Sequence, residues 1–205
     1  MKEKEILKEY LPEKSINQVM KWIVQNNVHL KISRRRNSKF GDYRPPVNHP
    51  NHRISINHNL NPFAFLITFV HELAHLNVWK LHQNTVAPHG IEWKTEFRKL
   101  MKVVLKNSIF PDDIHEVLLQ SIVNSKASST SDLKLSRVLK KYDNQTVGTH
   151  LEDLRENTIF QTKTGIQFKK GAKRRTRYLC QNMTDNRQYL FHPLTPVEVV
   201  GIRRD

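Results

Sequence analysis

Apolar residues recur along the first half of this chain with two alternating periods, and the switches between them outline a small mixed domain. Ile16, Val19, Met20, Ile23 and Val24 follow the spacing of one helical face, with Ser15 placed to cap it. Val28, Leu30 and Ile32 then alternate with His29 and Lys31, the two-residue period of a half-buried strand. Ile54 and Ile56 mark a second short strand. Asn61-Pro62 predicts the start of the main helix, because Asn caps and Pro at the first helical position gives up no needed hydrogen bond. That helix is expected to end near Leu81. After a Pro88-His89-Gly90 loop, Trp93, Phe97, Leu100, Met101 and Val104 form another apolar helical stripe, and Pro111-Asp112-Asp113 opens a further short helix.

The texture then changes. Ser121 to Ser131 is Ser-rich, with no large apolar cluster beyond Ile122-Val123, and residues 121–134 read as a linker. Residues 158–163, 166–170, 175–180, 188–191 and 197–200 read as short strands, with Gly165 and Asp185-Asn186 in turns. The expected architecture is α+β: a domain over residues 1–120 with helices and a small sheet, then a small basic β module over residues 135–205.

Charge adds a partner to this picture. Lys and Arg number 34 against 19 acids, a net charge of +15. Such an excess suits a polyanion, most simply nucleic acid, since neutralising phosphates releases counterions. Arg34, Arg35 and Arg36 cluster in a basic loop or hairpin excursion around Gly41 and Pro45-Pro46. Lys169, Lys170, Lys173, Arg174, Arg175 and Arg177 cluster in the β module, where Phe168, Tyr178 or Tyr189 could stack bases. Binding of this kind is sequence-independent and electrostatic. A single cysteine, Cys180, excludes an intramolecular disulfide framework and fits a reducing compartment. The N-terminus lacks the apolar core of a signal peptide, and no run is long enough to span a membrane. A cytoplasmic protein is expected, nucleoid-associated in a bacterium.

The candidate chemistry lies late in the main helix. His71-Glu72-Leu73-Ala74-His75 is an HExxH run. Residues four apart share a helical face, so both imidazoles can reach one Zn²⁺, with Glu72 beside them as general base. A catalytic zinc needs a third protein ligand. His82, seven residues past His75, would sit about 10 Å further along the helix axis, too far for the same ion. The HExxHxxGxxH pattern fails, because Val78 and Leu81 stand where Gly and His are required. Glu92 and Glu96 on the next helix remain open. His89 is favoured over them, since Gly90 beside it gives the backbone freedom for a close approach. Tyr43, Arg44 and His82 are conceivable oxyanion donors.

Taken together, these elements resemble the SprT-like zinc metalloproteases, the group that includes Spartan. HExxH, a 13-residue gap, His89-Gly90 and then Trp93 three residues on are similar to the family's site. The resemblance begins at Leu11-Pro12 and takes in Arg36 to Tyr43 and Thr68 to His75, ending in the β module. It implies a minimal zincin fold, with His71, His75 and His89 as zinc ligands and Glu72 as catalytic base. It also implies peptide hydrolysis near DNA, where relatives of the Spartan branch repair DNA by degrading proteins crosslinked to it. The chain departs from the pattern in its last module: many relatives carry a zinc ribbon with paired cysteines there, whereas Cys180 stands alone and that module is expected to fold without metal. Two other readings compete: a nucleic-acid-binding protein whose zinc is structural, and a metallopeptidase with no nucleic-acid role.

Overall fold

The computed structural model describes residues 2–36, 38–47, 49–123, 132–143 and 148–201. The chain divides into two compact units, residues 1–144 and 145–205. Among the described residues no helix is long and apolar enough to cross a membrane.

In the first unit, α1 (Lys2–Lys8) leads through a 3-10 turn (Glu13–Ser15) into α2 (Ile16–Gln25). Ser15 was expected to cap α2, but it has helical backbone angles and its hydroxyl donates to the Pro12 carbonyl at 2.7 Å. The 3-10 turn runs straight into the helix, which leaves no cap position to fill. Strands β1 (Val28–Ser33), β2 (Gly41–Arg44) and β3 (His52–Asn57) form a sheet in the order β1-β3-β2. Strand β3 runs parallel to β1 and antiparallel to β2. The central strand carries the strongest apolar signal, and its Ile54 and Ile56 are fully buried. Strand β2 has no apolar alternation and forms inside the basic excursion.

Helices α3 (Pro62–His82), α4 (Ile91–Lys106), α5 (Asp112–Val123) and α6 (Leu133–Lys140) complete the unit. Helix α6 was assigned by sequence across the linker and the β module. It packs on α5 instead, and Leu135 and Leu139 lie in the core shared by α2, α3 and α4. The division of the chain therefore follows residue 144, and residues 124–131 of the expected linker lie outside the described residues.

The second unit is a five-stranded antiparallel sheet in the order β7-β6-β5-β4-β8. Its strands are β4 (Ile159–Gln161), β5 (Gln167–Arg174), β6 (Arg177–Asn182), β7 (Gln188–Phe191) and β8 (Glu198–Gly201). Leu151, Phe160, Phe168, Cys180 and Val197 form its small core. Gly165, at φ 81°, makes the β4–β5 turn and Asn186, at φ 58°, the β6–β7 turn, both in the left-handed region that these residue types tolerate.

Candidate metal centre

Helix α3 is apolar around most of its circumference, so it runs through the centre of its unit, with Phe65, Leu66, Phe69, Val70, Leu73 and Leu76 fully buried. Its start is fixed by Asn61, which accepts from the Ala64 amide at 2.9 Å. The Asn61 side-chain amide donates to the Leu139 carbonyl at 2.8 Å and to Asp143 at 2.7 Å.

From this rigid helix His71 and His75 project on one face, and the loop after it returns His89 to meet them. The three Nε2 atoms are separated by 3.3 Å (His71–His75), 3.0 Å (His75–His89) and 3.1 Å (His71–His89). Neutral imidazoles carry one N–H each, so three nitrogens converging head-on do not make a good mutual hydrogen-bond set. A tetrahedral ion about 2.0–2.1 Å from each nitrogen would space them about 3.3 Å apart, close to what is seen. Among the described residues, only these three His, Cys, Asp or Glu side chains cluster their ligand atoms, all within 4.8 Å of one another. The donor set fits a metal ion.

His89 reaches the cluster by a backbone route the sequence argument placed one residue too late. His89 itself has φ 59°, whereas Gly90 has φ −65° and serves as the N-cap of α4. Histidine is among the residues enriched in the left-handed region, so the cost falls on the functional residue. Glycine is needed at position 90 for space, because a Cβ there would lie 2.9 Å from both the Ala87 carbonyl and Glu92 Oε2. The competing residues lie outside the histidine cluster. Glu96 accepts from Asn77 at 2.9 Å and faces Lys99 at 3.5 Å. His82 lines a groove with Val78, Leu81, Ile91 and Glu92.

Trp93 walls the cluster, with its ring 4.6, 5.4 and 4.7 Å from those of His71, His75 and His89. Phe97 stacks behind it at 4.9 Å. His71 Nδ1 is buried without a hydrogen-bond partner among the described residues, so that ring is held by packing. Burial first, and the neighbouring imidazoles second, push His71 down to about 3 and His75 to about 4, while burial lowers His89 as well. All three are therefore neutral, and ready as ligands, at physiological pH.

Glu72 is buried on the side of α3 that faces β2. Burial, reinforced by Asp42, raises its carboxyl to about 8, against the opposing pull of Arg36, Lys39 and the Tyr43 backbone N–H. Strand β2 presses directly on it: a Cβ at Gly41 would stand 2.5 Å from Glu72 Oε1 and 2.7 Å from Thr68 Cγ2. Sequence reasoning had noted Gly41 only as a turn residue. Gly41→Ala is expected to displace β2 or Glu72, cost about 1–3 kcal/mol of stability and lower activity. Thermal unfolding and turnover of the purified variant check this, and wild-type values for both would refute it. Two conceivable oxyanion donors are engaged, Tyr43 Oη with His52 Nδ1 and Arg44 with Asp42, each at 2.9 Å.

These shifts give the metal-free protein a pH signature. Between about pH 4 and 6.5 the unfolded chain binds protons that folded His71 and His75 refuse, so stability rises with pH. Between 4.5 and about 8 the folded chain holds a proton on Glu72 that the unfolded chain has released, so stability falls with pH. Two histidines outweigh one glutamate in the lower window, and only Glu72 acts in the upper one. These groups together set a maximum near about pH 6.5. Glu72→Gln should abolish the falling limb; unfolding midpoints of both metal-free proteins from pH 4 to 9 test this, and parallel curves would contradict it.

Two of the basic residues expected to contact nucleic acid are committed to the fold. Arg36 donates to Asn57, Ser55 and the Phe40 carbonyl. Lys170 is buried, bonded to the Glu152 and Leu154 carbonyls with its Nζ 4.1 Å from the Tyr178 ring centre. Strand residues alternate faces, and position 170 points into the small core beside Cys180. Arg34, Arg35, Lys173, Arg174, Arg175 and Arg177 are exposed, and Lys169 is half-buried. The last four of the exposed set crowd a tight β5–β6 hairpin that turns at Arg175, φ 52°. The aromatic candidates differ: Phe168 is buried against Phe160 and Phe191, Tyr178 is half-buried under Lys170, and Tyr189 sets its ring edge-on to Phe168 but stays exposed.

A small sheet, a buried central helix and a converging histidine trio able to hold a metal ion stand together in the first unit. The chain belongs to the SprT-like family, whose model matches residues 11–115. The match ends within α5, so the β unit, to which the sequence resemblance extended, lies outside it. No curated protein and no solved structure gives a significant match to the chain.

Proposed function

We propose that this chain is a zinc-dependent endopeptidase acting on proteins associated with DNA. The observation that carries the hydrolytic reading is the buried Glu72 carboxyl on the same helix as His71 and His75, with His89 closing the ligand set. Three neutral imidazoles suit zinc among the common ions. Bound by them, zinc would polarise the scissile carbonyl, acidify a water and draw the pKa of Glu72 downward. Glu72 then accepts the proton of the attacking water and delivers it to the leaving amine nitrogen. The Tyr43 N–H favours its charged form, and Trp93 and Phe97 keep solvent from the back of the imidazoles.

The net charge of +15 and the exposed cations of the β5–β6 hairpin support the DNA part of the reading. With Phe168 buried and four exposed cations on the hairpin, contact is mainly through phosphates. Replacing Lys173, Arg174, Arg175 and Arg177 by Ala should weaken duplex binding and reduce the slope of log K against log salt by about 3–4. The deciding experiment measures cleavage of a protein substrate by the zinc-loaded chain, with and without DNA, and after chelation. Undiminished cleavage after chelation removes the metal, and undetectable or salt-insensitive DNA binding removes the nucleic acid.

A further inference from the structure

Glu72 can serve as a base only if its carboxylate is held still, and the strand that holds it is slight. Strand β2 has four residues, lies at the sheet edge and pairs with β3 alone. Its Tyr43 N–H favours the charged form of Glu72, and Gly41 passes too close for any side chain to intervene. The segment entering β2 is pinned from outside the strand, by two side chains.

Arg36 supplies the first half of the pin. Its Nε donates to Asn57 Oδ1 at 2.8 Å and its Nη1 to Ser55 Oγ at 3.0 Å. Its Nη2 donates to the Ser55 carbonyl at 3.1 Å and the Phe40 carbonyl at 3.4 Å. Asn57, at 1% exposure, supplies the second half. Its Nδ2 donates to the carbonyls of Arg36 (3.1 Å) and Lys39 (3.0 Å), and its backbone N–H to Phe40 (2.9 Å). Residues 36, 39 and 40 are thus tied to β3 immediately before Gly41. The planar fork of a guanidinium can satisfy four acceptors spread over three residues, which a lysine ammonium cannot reproduce.

We propose that Arg36, locked by Asn57, is a positioning residue for Glu72: the pair fixes how closely β2 approaches the carboxylate, and neither binds substrate or nucleic acid. The proposal rests on Glu72 acting as the base. The test uses the full zinc-loaded chain and compares wild type, Arg36→Lys and Arg36→Ala by cleavage kinetics, zinc content, duplex DNA affinity and amide hydrogen exchange at Tyr43. Arg36→Lys keeps the charge but loses the fork, and should lower kcat about tenfold with KM within about twofold, since small misplacements of a base are costly. Zinc content and DNA affinity should stay at wild-type levels. The Tyr43 amide should exchange about tenfold faster, with the Leu73 amide of α3 unchanged. Added guanidinium should restore part of the kcat of Arg36→Ala; if that variant fails to fold, Arg36→Lys alone decides. Unchanged kcat and unchanged Tyr43 exchange would overturn the proposal, as would a raised KM or weakened DNA binding with kcat intact. If wild type cleaves nothing, the peptidase reading falls, and Tyr43 exchange still decides the clamp.

Discussion

Glu72→Gln is expected to bind zinc as wild type does and to cleave protein substrate at least about 10²–10⁴-fold more slowly, the span that a positioned general base supplies. The substitution preserves shape and keeps a carbonyl oxygen where Glu72 Oε1 meets Gly41, so β2 should not move. It also removes a carboxyl that burial has already forced up to about 8, so folding is expected to be unharmed or slightly improved. Zinc per chain by elemental analysis, together with substrate cleavage, separates the outcomes. Loss of both zinc and cleavage would mean that Glu72 matters through the fold, and equal cleavage would end its assignment as base.

His89→Gly should be the most damaging change for the metal. Glycine accepts the φ of 59° without strain, so the loop conformation is kept and only the imidazole is lost. With two ligands left, zinc affinity should fall by more than about 100-fold, beyond what loss of an outer hydrogen-bond partner causes. A ligand set assembled only in the folded chain should raise Tm when zinc is added to the metal-free wild type, and that rise should vanish in the variant. Glu96→Ala is the matched control: it breaks the contacts with Asn77 and Lys99 and should leave the zinc-induced shift intact. If Glu96→Ala loses the shift and His89→Gly keeps it, the ligand set is wrong.

The parts of this protein visible in its sequence are those whose signals are local. Asn61-Pro62 announced α3 because capping and the fixed φ of proline act within one turn, and the HExxH run needed only the helical repeat to place two imidazoles together. The ring of Trp93 was visible as one position in an apolar stripe; that it would wall all three histidines required the α3–α4 packing. What stayed hidden depends on distant partners. Strand β2 has no apolar alternation, since Gly41 must be bare and Tyr43 takes its place through His52. Arg36 and Lys170 looked like phosphate contacts, because composition counts charges without showing which are already bonded. Helix α6 was lost next to the Ser-rich stretch, although Leu135 and Leu139 have the four-residue spacing of a buried stripe. One signal was available and unused: a glycine directly after a basic loop, ahead of Asp-Tyr-Arg, fits close backbone approach as well as it fits a turn.

The bond from Asn61 to Leu139 and Asp143 has a practical consequence for anyone shortening this protein. A fragment ended at residue 120, where the apolar pattern first fades, would keep every metal ligand and still lose the anchor of the helix that presents two of them. The side-chain amide of Asn61, buried in the intact unit, would have no carbonyl to meet, and the hollow left by Leu135 and Leu139 would open beside it. The smallest self-sufficient piece should therefore run to residue 143, with the tail of the first unit acting as the keystone of its own ligand helix.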